Sequence, residues 1–191
     1  FTFQEAWRDS RSVETTWHDP NQTYLVSLAP HGGDMEACTD QIAIELYKNM
    51  PTEQCSMWAY HGFGDDAGDR FHIKSSRLQP ASYPGLAAVS TADFHHAISF
   101  HVKANAGAIE IGGLADRAFR EEVAEIIEAA VENSWGTVLD YEDGTYMGQN
   151  EANIVNRLTA DGHSGVQVEL PIYAARNYRK RIARELAEFY A

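Results

Sequence analysis

Apolar positions recur along the chain in two rhythms. Short runs in which most residues are apolar or β-branched fall at Tyr24–Ala29, Ser56–Tyr60, His96–Val102, Ala108–Ile111 and Val166–Leu170, and read as buried strands. Longer segments repeat their apolar residues every three or four positions, as an amphipathic helix does. The clearest spans Ala115–Asn133, with Phe119, Val123, Ile126, Ile127, Ala130 and Val131 on one side. A helix over Glu36–Asn49 carries Ile42, Ile44, Leu46 and Tyr47 and stops at Pro51. Others are predicted after Pro84 to Ala92, over Glu151–Leu158, over Tyr173–Tyr190 and, briefly, over Phe3–Asp9. The rest of residues 1–20, the Gly- and Asp-rich His61–Asp69 stretch and Asp140–Glu151 read as loops, and Lys103–Gly107 as a hairpin or a bend. Strands and helices alternate without repeats or a long linker. The prediction is therefore one α/β domain over residues 1–191, in three α/β/α layers, with a mostly parallel mixed sheet.

Three predicted strand ends carry ionisable side chains. Tyr24–Pro30 runs into His31-Gly32-Gly33-Asp34-Met35-Glu36, a second run ends Ser99-Phe100-His101, and the last holds Gly165-Val166-Gln167-Val168-Glu169-Leu170. The carboxyl edge of an α/β sheet is where active sites form. His31 and Glu36 lie five apart, roughly 140° on a continuous helix, and could not share a metal there. With His31 in the Gly32-Gly33 turn and Glu36 in the first turn of a helix capped by Asp34, they converge. His95 and His96 compete with His101, but only His101 lies at the strand's carboxyl end. Two His and one Glu form a zinc-ligand set that leaves a position for water. Glu169, flanked by Val168 and Leu170, is a candidate base for that water; as a half-buried carboxylate it could instead pair with Arg176 or Arg157.

The composition narrows the classes. The chain has 191 residues, 44% of them hydrophobic, and a net charge of −13. No apolar stretch approaches the ~18 residues that span a membrane. The 28 acids face 11 Arg and only 4 Lys, a balance that repels nucleic-acid phosphates and anionic membranes. Scarce Lys with abundant carboxylates also suits a high-salt cytoplasm, where salt screens self-repulsion. The expected location is cytoplasmic; the chain begins with Phe rather than Met, as one trimmed of a leader would. Cys38 and Cys55 read as free thiols. Asp140-Tyr141-Glu142-Asp143-Gly144 has its Gly one place early for a calcium loop, and neither Gly62-Phe63-Gly64 nor Gly112-Gly113 has the spacing or setting of a phosphate-binding loop.

The motifs, taken in order, resemble the bacteriophage poly-γ-glutamate hydrolase family, also met as a phage-related "replication" family. The resemblance runs from Tyr24 to the last helix. It rests on Ala29-Pro30-His31-Gly32-Gly33 with Glu36, Phe71-His72-Ile73-Lys74-Ser75-Ser76-Arg77, Ser99-Phe100-His101, Ile109-Glu110-Ile111-Gly112-Gly113-Leu114, Asn153-Ile154-Val155-Asn156-Arg157 and Gly165–Leu170. It implies a pared-down zinc carboxypeptidase fold, with one Zn²⁺ per chain on His31, Glu36 and His101 and with Glu169 as base and proton shuttle. The implied activity is hydrolysis of γ-glutamyl amide bonds. An arginine should hold the oxyanion or a substrate carboxylate, Arg157 ahead of Arg77 and Arg176, and His72 should line the site. The family's strand histidine is usually followed by Gly, whereas Val102 and Lys103 follow His101 here, which bears on the substrate. The expected partner is a polyanionic γ-glutamyl polymer or a small acylated amino acid, not nucleic acid or membrane. The rivals are an N-acyl amino acid deacylase and a non-enzymatic phage-related accessory protein.

The charge balance makes one direct prediction. The Debye length is long in dilute buffer, so carboxylate repulsion is then strongest. The melting temperature should rise between dilute buffer and molar KCl. Calorimetry at the two ionic strengths checks this, and a flat or falling curve removes the high-salt reading.

Overall fold

A computed structural model describes residues 9–51, 54–105, 107–139 and 147–191. Its centre is a mixed sheet of seven strands in the order β1-β3-β2-β4-β7-β5-β6. The strands are β1 (Ser12–Trp17), β2 (Leu25–Gly33), β3 (Cys55–Gly62), β4 (His96–Lys103), β5 (Ile109–Gly113), β6 (Thr137–Leu139) and β7 (Gly165–Pro171). The run β3-β2-β4-β7 is parallel. β1 joins β3 antiparallel at one edge, and β5 joins β7 antiparallel, with β6 parallel to β5. The expected mostly parallel mixed sheet is present, and helices cover both faces.

One layer consists of α1 (Thr39–Asn49), α4 (Arg117–Ala130) and α6 (Ile172–Tyr190). Ile42, Leu46, Val123, Ile127, Ile182 and Leu186 pack on Ala29, Ile98, Phe100, Val166 and Val168 of the sheet. The other layer is built from short pieces: α2 (Ala67–Phe71), α3 (Pro84–Val89) and α5 (Ile154–Arg157), with two 3₁₀ turns, Ser75–Arg77 and Pro80–Ser82. Here Phe71, Tyr83, Leu86 and Val155 meet Val26, Leu28, Trp58 and Tyr60. Two-sided cover is why β2 and β3 read as continuous apolar runs.

β4, β7 and β5 differ. Alternate side chains of a strand point to opposite faces. Ile98, Phe100, Val166, Val168, Ile109 and Ile111 enter the core under α1, α4 and α6, so Ser99, His101, Gln167, Glu169 and Glu110 line the opposite face. All five are buried.

Several expectations change. Ser12–Trp17, predicted as loop, is an edge strand whose Val13 and Trp17 remain exposed, which weakens its apolar signal. His61 and Gly62, also predicted as loop, end β3, and the helix Ala67–Phe71 begins inside the same stretch. The Lys103–Gly107 connection is no hairpin, because β7 lies between β4 and β5. β6 is too short to show a period. The Glu151–Leu158 helix shrinks to the single turn Ile154–Arg157. Asp34 does not cap α1; its carboxylate accepts the Gly64 amide at 2.9 Å, and the helix begins only at Thr39 after Cys38 in the left-handed region. The Phe3–Asp9 helix, except for Asp9, and the start of the Asp140–Glu151 loop lie outside the described residues. Cys38 and Cys55 are free thiols, as expected. No helix among the described residues is long and apolar enough to cross a membrane.

Gly113 permits the β5–β7 pairing. Its φ is +96°, and an added Cβ would lie 2.1 Å from the Gly165 carbonyl oxygen. A forced positive φ alone costs ~1–3 kcal/mol, and for a chain of this size each kcal/mol lowers the melting temperature by roughly 2–4 °C. Gly113→Ala should therefore lose roughly 5 °C or more by calorimetry.

Candidate metal centre

The sheet changes winding direction between β2 and β4. From β2 the chain crosses by α1 to β3 on one side, while β4 lies on the other. Such a switch opens a crevice at the carboxyl ends of the two strands. His31 stands near the end of β2 and His101 near the end of β4.

His31 lies within β2 rather than in the turn. The pairing of β2 with β3 shifts register between Ala29 and Gly32, a bulge that re-aims the side chain between them. Gly33 then turns the chain, with φ +71° and space for no side chain: a Cβ would lie 2.5 Å from the Gly62 carbonyl oxygen. Glu36 precedes α1 instead of occupying its first turn. Its amide donates to the His31 carbonyl at 3.0 Å, closing a turn that folds the Glu36 side chain back over His31. Asp40 holds this turn from behind, accepting the Gly33 amide at 3.3 Å and lying 3.0 Å from His61 Nδ1. The other nitrogen of His61 is 3.0 Å from the Thr15 hydroxyl.

Three predicted ligands meet. His31 Nδ1 lies 2.8 Å from Glu36 Oε1 and 3.1 Å from His101 Nδ1, and His101 Nδ1 lies 3.3 Å from Glu36 Oε2. His31 Nε2 donates to the Ile73 carbonyl at 2.8 Å, which fixes the tautomer and leaves Nδ1 with a lone pair. That lone pair faces a carboxylate oxygen, a contact that repels unless positive charge lies between. Glu36 Oε2 also accepts the Val102 amide at 3.0 Å.

The electrostatics follow. Burial lowers the proton affinity of His31, although Glu36 opposes it. Burial alone would also lower His101, but the Glu36 and Glu169 carboxylates raise it. Burial would raise Glu36, yet His31 and His101 hold its carboxyl well below the usual range. The pocket thus favours one positive charge among these donors. Two imidazole nitrogens and a carboxylate, with one imidazole anchored on a backbone carbonyl, fit zinc.

His72 comes closer than a lining residue. Its Nε2 is 2.8 Å from Glu36 Oε1, and His31, Glu36 and His72 form a compact donor group. His72 and His101 approach the His31–Glu36 pair with different ring orientations. His72 stacks on His31 with centroids 3.8 Å apart and 29° between planes. His101 meets His31 at 64°, with its Nδ1 3.1 Å from the Nδ1 of His31. His101 is also buried, whereas the His72 side chain is 39% exposed.

Glu169 is the direct β7 partner of His101, and Glu110 is its direct β5 partner, so the three share one row and one face. The sequence offered an arginine for Glu169, but its partner is the Gln167 amide, at 3.0 Å, which Asn153 holds in turn at 2.9 Å. Burial pushes the Glu169 carboxyl up to about 7; Glu36 and Glu110 add to this, while His101 and Gln167 oppose it. Arg157 donates to the Leu78 carbonyl at 2.6 Å and so fastens the segment carrying Ile73. Arg77 and Arg176 are exposed. Among the described residues, none of the three has a hydrogen bond or ion pair with His31, Glu36, His101 or Glu169. Sequence reasoning missed Asp40, His61, Gln167 and the Glu110–Lys103 ion pair. Gln167 and Glu110 carried a signal, being polar residues at alternate positions of apolar strands.

The sequence matches the profile of the poly-gamma-glutamate hydrolase family over residues 3–187, and the chain belongs to that family. The SPbeta prophage-derived protein YoqZ of Bacillus subtilis (strain 168) is 29% identical over 163 residues, 85% of this chain and 53% of that protein. The chain therefore spans about half the length of this curated relative. Among solved structures, a bacteriophage poly-gamma-glutamate hydrolase superposes with a TM-score of 0.68 at 18% identity, over 94% of this chain and 90% of that one. A zinc-free form of YndL gives 0.67 at 22%, over 94% and 88%. A metallo-carboxypeptidase from Pseudomonas aeruginosa gives 0.53 at 12%, over 93% and 60%. These likenesses establish the fold as carboxypeptidase-like.

The donor geometry yields a direct test. In His101→Ala the pocket loses the nitrogen that converges with His31 Nδ1. Zinc content after dialysis should fall from near one per chain to a small fraction, with the circular dichroism spectrum unchanged. Full zinc occupancy in this variant would show that His101 is not a ligand.

Proposed function

We propose that this chain is a zinc-dependent amidohydrolase that cleaves γ-glutamyl amide bonds, with one Zn²⁺ per chain held by His31, Glu36 and His101. The observation that carries the reading is the convergence of His31 Nδ1, His101 Nδ1 and Glu36 beside a buried carboxylate on the same sheet face. Family membership supports a hydrolase with a poly-γ-glutamate substrate. Zinc, when bound, supplies Lewis acidity toward the scissile carbonyl and the attacking water.

The chain's own groups do the rest. Glu36 and His31 hold their positions through the Val102 amide and the Ile73 carbonyl. Glu169 is the base. A carboxyl near 7 can take a proton from water and return it to a leaving amine at neutral pH. Gln167 fixes its orientation, so the proton-accepting atom need not be ordered during reaction. His72 borders the metal side and reaches solvent, which suits contact with substrate. The placement of Arg157, Arg77 and Arg176 lends no support to their anchoring substrate.

Incubating the zinc-loaded protein with poly-γ-glutamate and γ-glutamyl oligomers, with chain length as readout, tests the reading. Shortening that a chelator abolishes is expected; intact polymer and oligomers would overturn the assignment. Glu169→Gln keeps size and zinc but cannot accept the proton. Its turnover should fall at least ~10²-fold, as for loss of a general base. Near-normal turnover would return Glu169 to a structural role.

A further inference from the structure

The closing helix carries its charges in an order that folding does not favour. From Pro171 to Arg184 the chain holds Arg176, Arg179, Lys180, Arg181 and Arg184, a third of its 15 bases, and none of its 28 acids. α6 therefore begins cationic, and its acids, Glu185 and Glu188, stand toward its carboxyl end. The helix macrodipole favours the reverse order. Arg176, Lys180 and Arg184 also follow one another at four-residue steps, which sets like charges side by side and destabilises the helix further.

Helical spacing places Tyr173, Arg176, Lys180 and Arg184 on one stripe, opposite the buried Ala175, Ile182 and Leu186. All four stripe residues are exposed, Tyr173 by 60%. Glu185 pairs with Arg184 at 2.7 Å and Glu132 with Arg181 at 3.0 Å. Among the described residues Arg176 and Lys180 have no ion pair, in a chain where carboxylates are plentiful. β7 passes straight into α6, so the stripe starts at the crevice rim, with Tyr173 four residues past Glu169. It then runs away from the rim along the layer that covers the other face of the sheet.

A γ-glutamyl polymer bears one carboxylate per residue, with five main-chain bonds per repeat and an extended repeat of roughly 6 Å. Four helical residues rise by about the same 6 Å. Successive carboxylates of a polymer leaving the crevice over the end of β7 can thus meet Arg176 and Lys180 in turn.

We propose that this stripe is an outlying site for poly-γ-glutamate, at which Arg176 and Lys180 bind the anionic polymer beyond the residue being cut and so favour long chains over short oligomers. This rests on the amidohydrolase reading above. Both cations lie on the opposite side of the sheet from Glu169, so they act on the distant part of the substrate and not at the metal.

The test compares zinc-loaded wild type with Arg176→Gln/Lys180→Gln, Lys180→Glu and the charge-keeping Arg176→Lys/Lys180→Arg in dilute buffer. The substrates are long poly-γ-glutamate and the γ-linked trimer. The trimer is roughly 18 Å from end to end, too short to occupy the crevice and pass along the helix at once. In Arg176→Gln/Lys180→Gln and Lys180→Glu, kcat/KM on the polymer should fall roughly threefold to thirtyfold, the usual effect of losing one or two exposed ion pairs. The loss should sit in KM, the trimer should change less than twofold, and the charge-keeping variant should match wild type. Unchanged polymer kinetics, or an equal loss on the trimer, overturns the proposal. Unchanged polymer kinetics together with weaker binding of single-stranded DNA would assign the stripe to nucleic acid and overturn it as well. If wild type cuts neither substrate, the hydrolase reading fails, and calorimetric titration of the same zinc-loaded proteins with the polymer decides the stripe separately. Binding at least threefold weaker in Arg176→Gln/Lys180→Gln upholds it, and equal binding removes it.

Discussion

The approach of His31 Nδ1 to within 2.8 Å of a Glu36 carboxylate oxygen is the constraint around which this structure is arranged. Without a proton or a metal cation between them, the two atoms would repel. The contact persists because His31 is held from both sides, by the strand bulge behind it and by the Ile73 carbonyl at its far nitrogen. Glu36 is held by the turn that returns it to the His31 carbonyl and by the Val102 amide. Two independent anchors on each partner give a preorganised concentration of negative potential, closed by His101. Such a cluster of donors gains from a cation.

The frame was largely legible because burial writes itself into residue type. β2, β3 and the inner faces of β4 and β7 are apolar where helices cover them, and α4 and α6 carry plain helical periods. What escaped was structure whose stability comes from partners distant in sequence. β1 is held by pairing with β3, and β6 by pairing with β5; neither has a buried face long enough to leave a pattern.

At the site, His31, Glu36, His101 and Glu169 stood out as ionisable residues at the ends of apolar runs. Their supports did not. That Asp40 serves Gly33, or that Arg157 serves Leu78, depends on backbone groups, and every residue has those. The arginine expectation failed to find a partner for Glu169 because a neutral amide two residues away satisfies one oxygen without neutralising the charge.

The reversal of β5 and β6 has its own consequence for how such a protein can change. The metal-holding side of the rim consists of places where strands β2 and β4 end, and its geometry is locked by the bulge and the Glu36 turn. On the far side β5 and β6 run the other way, so the rim there is where strands begin. The segment entering β6 comes from α4, away from the metal pocket, whereas the segment entering β5 leaves β4 just after His101 and Val102. A change in length before β6 would leave the metal pocket untouched, while one before β5 would pull directly on the strand that carries His101.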